Sequence, residues 1–135
     1  MSSSGEPKIL LDCDVVIHFL KGGKILELPT IFPGRFVMLD KVYNELLKRN
    51  SNALAIAVFL ASTQVPVITM PTKPEAAYCQ LNNIVYYTTM DLLHEATVKK
   101  IMTDAACNAF IQEVLSKGSR LPNITMAQYR KSKGL

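Results

Sequence analysis

The chain has 135 residues, 15 of them basic and 11 acidic, a formal net charge of +4, and close to half of its residues apolar. That is the length of one domain with a single core, and it is too apolar for a disordered polymer. No apolar run reaches the roughly 18 residues that a membrane helix requires, and the opening MSSSGEPK lacks the basic and apolar halves of a secretory signal. Residues 1–7 read as a flexible leader. Cys13, Cys79 and Cys107 form no CxxC pair, so reduced thiols in a cytoplasmic protein are expected rather than a disulfide frame or a zinc site.

Ile9-Leu10-Leu11 is a short apolar run ending at Asp12, after which Val15, Val16, Phe19 and Leu20 recur at helical spacing. The pattern predicts a buried strand turning directly into a helix. Gly22-Gly23 stops that helix, and Lys24–Gly34, punctuated by Pro29 and Pro33, reads as an irregular connection. Phe36–Leu39 is the second strand. A helix capped by Asp40 follows to about Lys48, with Val42, Tyr43, Leu46 and Leu47 on its apolar side. Ala53–Ala61 is a small-residue helix, apolar on nearly every side and expected to pack on the sheet. Val65–Met70 is a third strand with Pro66 at its start, where proline is tolerated.

Pro71–Pro74 turns the chain, Glu75–Leu81 reads as helix, Asn82-Asn83 turns again, and Ile84–Tyr87 is the fourth strand. Thr88-x-x-Asp91 is a variant capping box that opens the next helix. Asp104 starts a helix over Ala105–Lys117 that Gly118 stops, and a last short helix begins near Thr125, before a basic tail over 131–135. Strands alternating with helices predict an α/β fold: three layers, α/β/α, around a central, mostly parallel sheet spanning residues 8–130.

In such sheets ligands bind outside the carboxyl ends of the strands, where Asp12 and Asp14 fall. Two neighbouring carboxylates are costly unless a cation joins them, and a hard metal ion does so; the bland account is that both cap the helix they open. Glu45 borders the Val42–Leu46 stripe, although a surface glutamate is the simpler account. His18 falls near the apolar side of the first helix and reads as a packed or surface histidine. His94 has no partner at ligand spacing, and Cys13 reads as a small buried thiol. Basic residues gather at helix ends, where cations suit the dipole. Among them Lys99, Lys100, Arg130 and Lys131 are candidates for gripping RNA phosphate. No glycine-rich phosphate loop follows the first strand, which argues against a nucleotide-binding loop.

Three stretches carry a resemblance. They are LLDCDVVIHF at the start, DKVYNELLK with its internal Glu45, and IVYYTTMDLLHEATVKKIMT followed by an apolar helix and LPNITMAQYRK. Together they resemble the PIN-domain ribonucleases, a family that includes many toxins of prokaryotic toxin–antitoxin pairs. The resemblance implies a PIN-like, Rossmannoid fold with three or four carboxylates at the strand ends holding Mg²⁺ or Mn²⁺, which activates water against an RNA phosphodiester. It makes Asp12 the first ligand, Glu45 the second and Asp14 a secondary candidate. It also implies RNA as the substrate, an antitoxin protein as a partner and a homodimer. The family's third acid, set in a helix after a Gly-x-Gly-Glu-like turn, has no counterpart here, since Glu75 is the only acid between Met70 and Ile84. The chain therefore reads as a shortened member, or as one lacking an internal segment near Ala76-Ala77-Tyr78. The alternative function is a catalytically degenerate PIN-like domain that binds RNA or protein.

Overall fold

The computed structural model describes residues 7–48, 53–69 and 84–135. Their elements run β1 (Lys8–Leu10), α1 (Cys13–Lys21), α2 (Leu28–Ile31), β2 (Phe36–Leu39), α3 (Asp40–Lys48), α4 (Ala53–Thr63), β3 (Val67–Ile68), β4 (Ile84–Tyr86), α5 (Thr89–Val98), α6 (Asp104–Ser116) and α7 (Met126–Lys133). The four strands form one all-parallel sheet in the order β3-β2-β1-β4. This is the expected α/β architecture. Among the described residues no helix is long and apolar enough to cross a membrane.

Strand order follows from how apolar each strand is. β1 and β2 are interior, and Ile9, Leu10 and all four residues of β2 are buried, as a parallel strand covered on both faces must be. β3 and β4 are the edges, where Val67 and Tyr86 are exposed. Ile9 lies opposite Phe36 on one side and Val85 on the other, so the strand ends are level and Asp12, Asp40 and Thr88 leave the sheet along one rim. The chain steps outward from β1 to β2 to β3 and then returns to the far side of β1. The reversal therefore lies between β1 and β4.

Local chemistry sets the helix starts. Asp12 caps α1 through its carboxylate, which accepts from the Cys13 N–H at 2.9 Å. Thr88 opens α5 with a complete capping box to Asp91, and Thr125 opens α7 with another to Gln128. Thr103, not Asp104, is the cap of α6, its hydroxyl accepting from Ala106 N. At the end of α1, Gly22 lies against the Phe110 ring of α6, and a Cβ there would sit 2.3 Å from two ring carbons. Lys21 and Lys117 each donate to the other's backbone carbonyl, which locks this corner.

Several elements differ from the sequence reading. Lys24–Gly34 contains the one-turn helix α2, because Pro29 occupies a first-turn position where its missing N–H costs nothing. β3 is only two residues long. In α4, which packs against α3, Ile56 and Phe59 are buried in the core and Leu60 lies partly against it, whereas Ala55, Ala57, Val58 and Ala61 are exposed. α7 extends to Lys133, which makes Lys131–Lys133 its last turn. The Pro71–Pro74 turn, the Glu75–Leu81 helix, the Asn82-Asn83 turn and the junction near Ala76-Ala77-Tyr78 lie outside the described residues, as do Met70 and Cys79.

Candidate functional site at the carboxyl rim of the sheet

Because α1 starts directly after β1 and α3 directly after β2, the two helices rise side by side from the same rim. Between them lies a cleft of about 520 Å³ lined by Asp12, Lys41, Asn44, Glu45 and Lys48. Asp12 and Glu45, far apart in sequence, thus share one polar cleft. Asp12 is exposed, and the hydrogen bond from Cys13 N engages one of its oxygens, leaving the second for a ligand. Glu45 is exposed and stands one helical turn from Lys41 on one side and from Lys48 on the other.

Asp12 also borders a second, larger cavity of about 670 Å³ on the other side of α1, at the β1–β4 reversal. Asp14, Val15 and His18 of α1 form one wall, and Tyr86 to Thr89 another. Residues 120–124 and the Tyr129 and Lys133 side of α7 complete it. Asp14 faces this cavity, not the Glu45 cleft.

His18 is packed, as its place on the first helix suggested, and it also borders this cavity. Its Nδ1 lies 2.7 Å from the hydroxyl of Thr89, a buried threonine at the start of α5. Burial pushes the His18 pKa down, and it outweighs the nearby Asp14 carboxylate and a hydrogen bond to the Arg120 backbone, both of which favour the cation. A neutral imidazole, held by Thr89 and by the Arg120 backbone, therefore borders the cavity. The available signal was that Asp14 and His18 stand one turn apart on the same helix face.

Asp91, Tyr129, Lys99 and Arg130 have structural work. Burial disfavours ionisation of Asp91, but hydrogen bonds from the Tyr129 hydroxyl and from Thr88 hold its carboxyl below the usual range. Burial and that same bond push the Tyr129 phenol up to about 12. Among the RNA-grip candidates, Lys99 donates to the Ile31 carbonyl and sits 3.6 Å from the centroid of the Phe32 ring. Arg130 pairs bidentately with Asp104 at 2.7 and 2.8 Å and also donates to Thr97 and His94. Lys100 and Lys131 are exposed, on the turn after α5 and on α7.

For a metal ion the chemistry of the donors is the test. Among the described residues no three His, Cys, Asp or Glu side chains are grouped to hold an ion by themselves. The pair Asp12 and Glu45 nevertheless suits a hard cation of the Mg²⁺ kind, which is commonly held by one or two carboxylates together with substrate phosphate and water. Asp14 belongs to the other cavity and adds no third ligand in the Glu45 cleft. The chain matches no family model, no curated protein and no solved structure.

Proposed function

We propose that the chain is a PIN-like, metal-dependent endoribonuclease that works at the Asp12–Glu45 cleft. The observation that carries this reading is the convergence of these two acids on one polar cleft at the carboxyl rim of a parallel sheet. Asp12 and Glu45 would hold Mg²⁺ or Mn²⁺, which when bound supplies a water activated at neutral pH and offsets charge developing on the phosphate. The N-cap bond from Cys13 fixes the Asp12 carboxylate before any ligand arrives. Lys41 and Lys48 flank Glu45 and would draw the RNA phosphodiester into the cleft as point charges, while Asn44 offers an amide donor beside it. RNA as substrate, a cytoplasmic setting, an antitoxin partner and a homodimer belong to this reading through the sequence resemblance.

A second reading rests on a specific observation. With no third acid joining the pair among the described residues, the domain would be a catalytically degenerate PIN-like module that binds RNA or protein. One experiment separates the two: incubation of the full chain with a labelled single-stranded RNA and Mg²⁺ or Mn²⁺. The nuclease reading expects metal-dependent internal cuts that fall to background in Asp12→Asn and in Glu45→Gln, each with an unchanged circular dichroism spectrum. RNA binding without cutting under any metal condition supports the module, and cutting by Asp12→Asn at the wild-type rate refutes the assignment of Asp12.

A further inference from the structure

The larger cavity is not needed to hold the ion, and its make-up differs from that of the Glu45 cleft. Its volume of about 670 Å³ is in the range of small-molecule sites, and it lies at the one place in the sheet where the strand order reverses. Tyr87, stacked on Phe32 with ring centroids 5.1 Å apart, is a braced aromatic wall, and Leu121 and Ile124 add apolar surface. Against these walls stand a few polar groups of fixed placement. The His18 imidazole is held by Thr89 at 2.7 Å, and the Asp14 carboxylate lies one turn before it. Exposed Arg120 and Lys133 bring positive charge from two different segments.

We infer that this cavity receives one unstacked nucleotide of a single RNA strand, next to the phosphodiester at the Asp12–Glu45 cleft. A planar base suits the apolar and aromatic walls, and the phosphate suits Arg120 and Lys133. Asp12, shared by both cavities, puts the two positions side by side along one strand. Asp14 can only accept hydrogen bonds when ionised, so it favours a base edge that carries an amino donor. Adenine, guanine and cytosine nucleotides, which all carry an amino donor, should therefore bind more tightly than uridine nucleotides. The inference rests on the nuclease reading only in assigning the nucleotide to an RNA strand.

The test uses the wild-type full chain, since nucleoside monophosphates carry no internucleotide phosphodiester to cut. Guanosine, cytidine and uridine 5′-monophosphates are titrated by calorimetry and by NMR of the His18 ring signals. The expected result is saturable binding that moves the His18 signals, with guanosine or cytidine monophosphate ahead of uridine monophosphate. Arg120→Ala and Lys133→Ala should each weaken binding by about tenfold, the loss of one charge-assisted hydrogen bond. Both substitutions lie on the surface and leave the core intact. No binding at millimolar nucleotide, or binding that both variants leave unchanged, overturns the inference. If nucleotides bind as expected while the wild-type chain cuts no RNA, the nuclease reading falls and the nucleotide cavity stands.

Discussion

Gly22→Ala is a sharp test of how the end of α1 is seated against α6. A Cβ at this position would lie 2.3 Å from two carbons of the Phe110 ring, more than 1 Å inside ordinary contact. The ring cannot swing away easily, because Phe110 is 2% exposed and packs on Phe19 with centroids 5.0 Å apart. Overpacking of this kind costs about 1–3 kcal/mol. Restricting the unfolded chain offsets about 0.4–1 kcal/mol of that, since the φ of −81° at Gly22 is open to alanine. The net expectation is destabilisation of about 1–2 kcal/mol, or roughly 4–8 °C in Tm for a domain of this size. Denaturant unfolding of the four members of a Gly22→Ala, Phe110→Leu cycle measures it, and the double variant should recover part of the loss. Gly22→Ala with wild-type stability would refute the close approach.

Three further outcomes follow from particular bonds. Tyr129→Phe removes the hydrogen bond to Asp91, so the Asp91 carboxyl should titrate higher by NMR and the fold should lose about 1–2 kcal/mol. Burial lowers the His18 pKa below its unfolded value of about 6.5, so the unfolded chain binds that proton more readily. The stability that neutral His18 contributes is thus present at pH 7 and lost as pH falls through the folded pKa. His18→Gln should flatten the fall in Tm between pH 7 and 5, and an unchanged slope would contradict the assignment. Thr125→Ala breaks the capping box of α7 and should cost about 1 kcal/mol, with faster hydrogen exchange in the first turn of that helix.

What could be read from the sequence was local. Phe36–Leu39 is a strand because four consecutive apolar residues need cover on both faces. The Thr88–Asp91 and Thr125 helix starts are written in hydroxyl and acid spacing. α4 shows the opposite case: a helix of small apolar residues has no polar face to mark its outside, so only tertiary contact reveals that Ile56 and Phe59 point inward. α2 was hidden because Pro29 within it and Pro33 just after it resemble loop punctuation. At the site, only the family resemblance implied that Asp12 and Glu45 share one cleft; the residues alone suggested a helix cap and a surface glutamate. The His18–Thr89 bond could not be anticipated, since the partners are 71 residues apart and no spacing rule links them. Arg130 read as a surface cation because its carboxylate partner, Asp104, lies on a separate helix.

The account stands on two carboxylates acting as one ligand set, and Mn²⁺ binding measures that directly. Calorimetry or the loss of free-ion electron paramagnetic resonance signal should show one Mn²⁺ bound by the wild-type chain at millimolar concentration or below. Binding should be abolished or weakened at least about tenfold in Asp12→Asn and again in Glu45→Gln. Mn²⁺ binding that either substitution leaves untouched, or no binding at all, would contradict it.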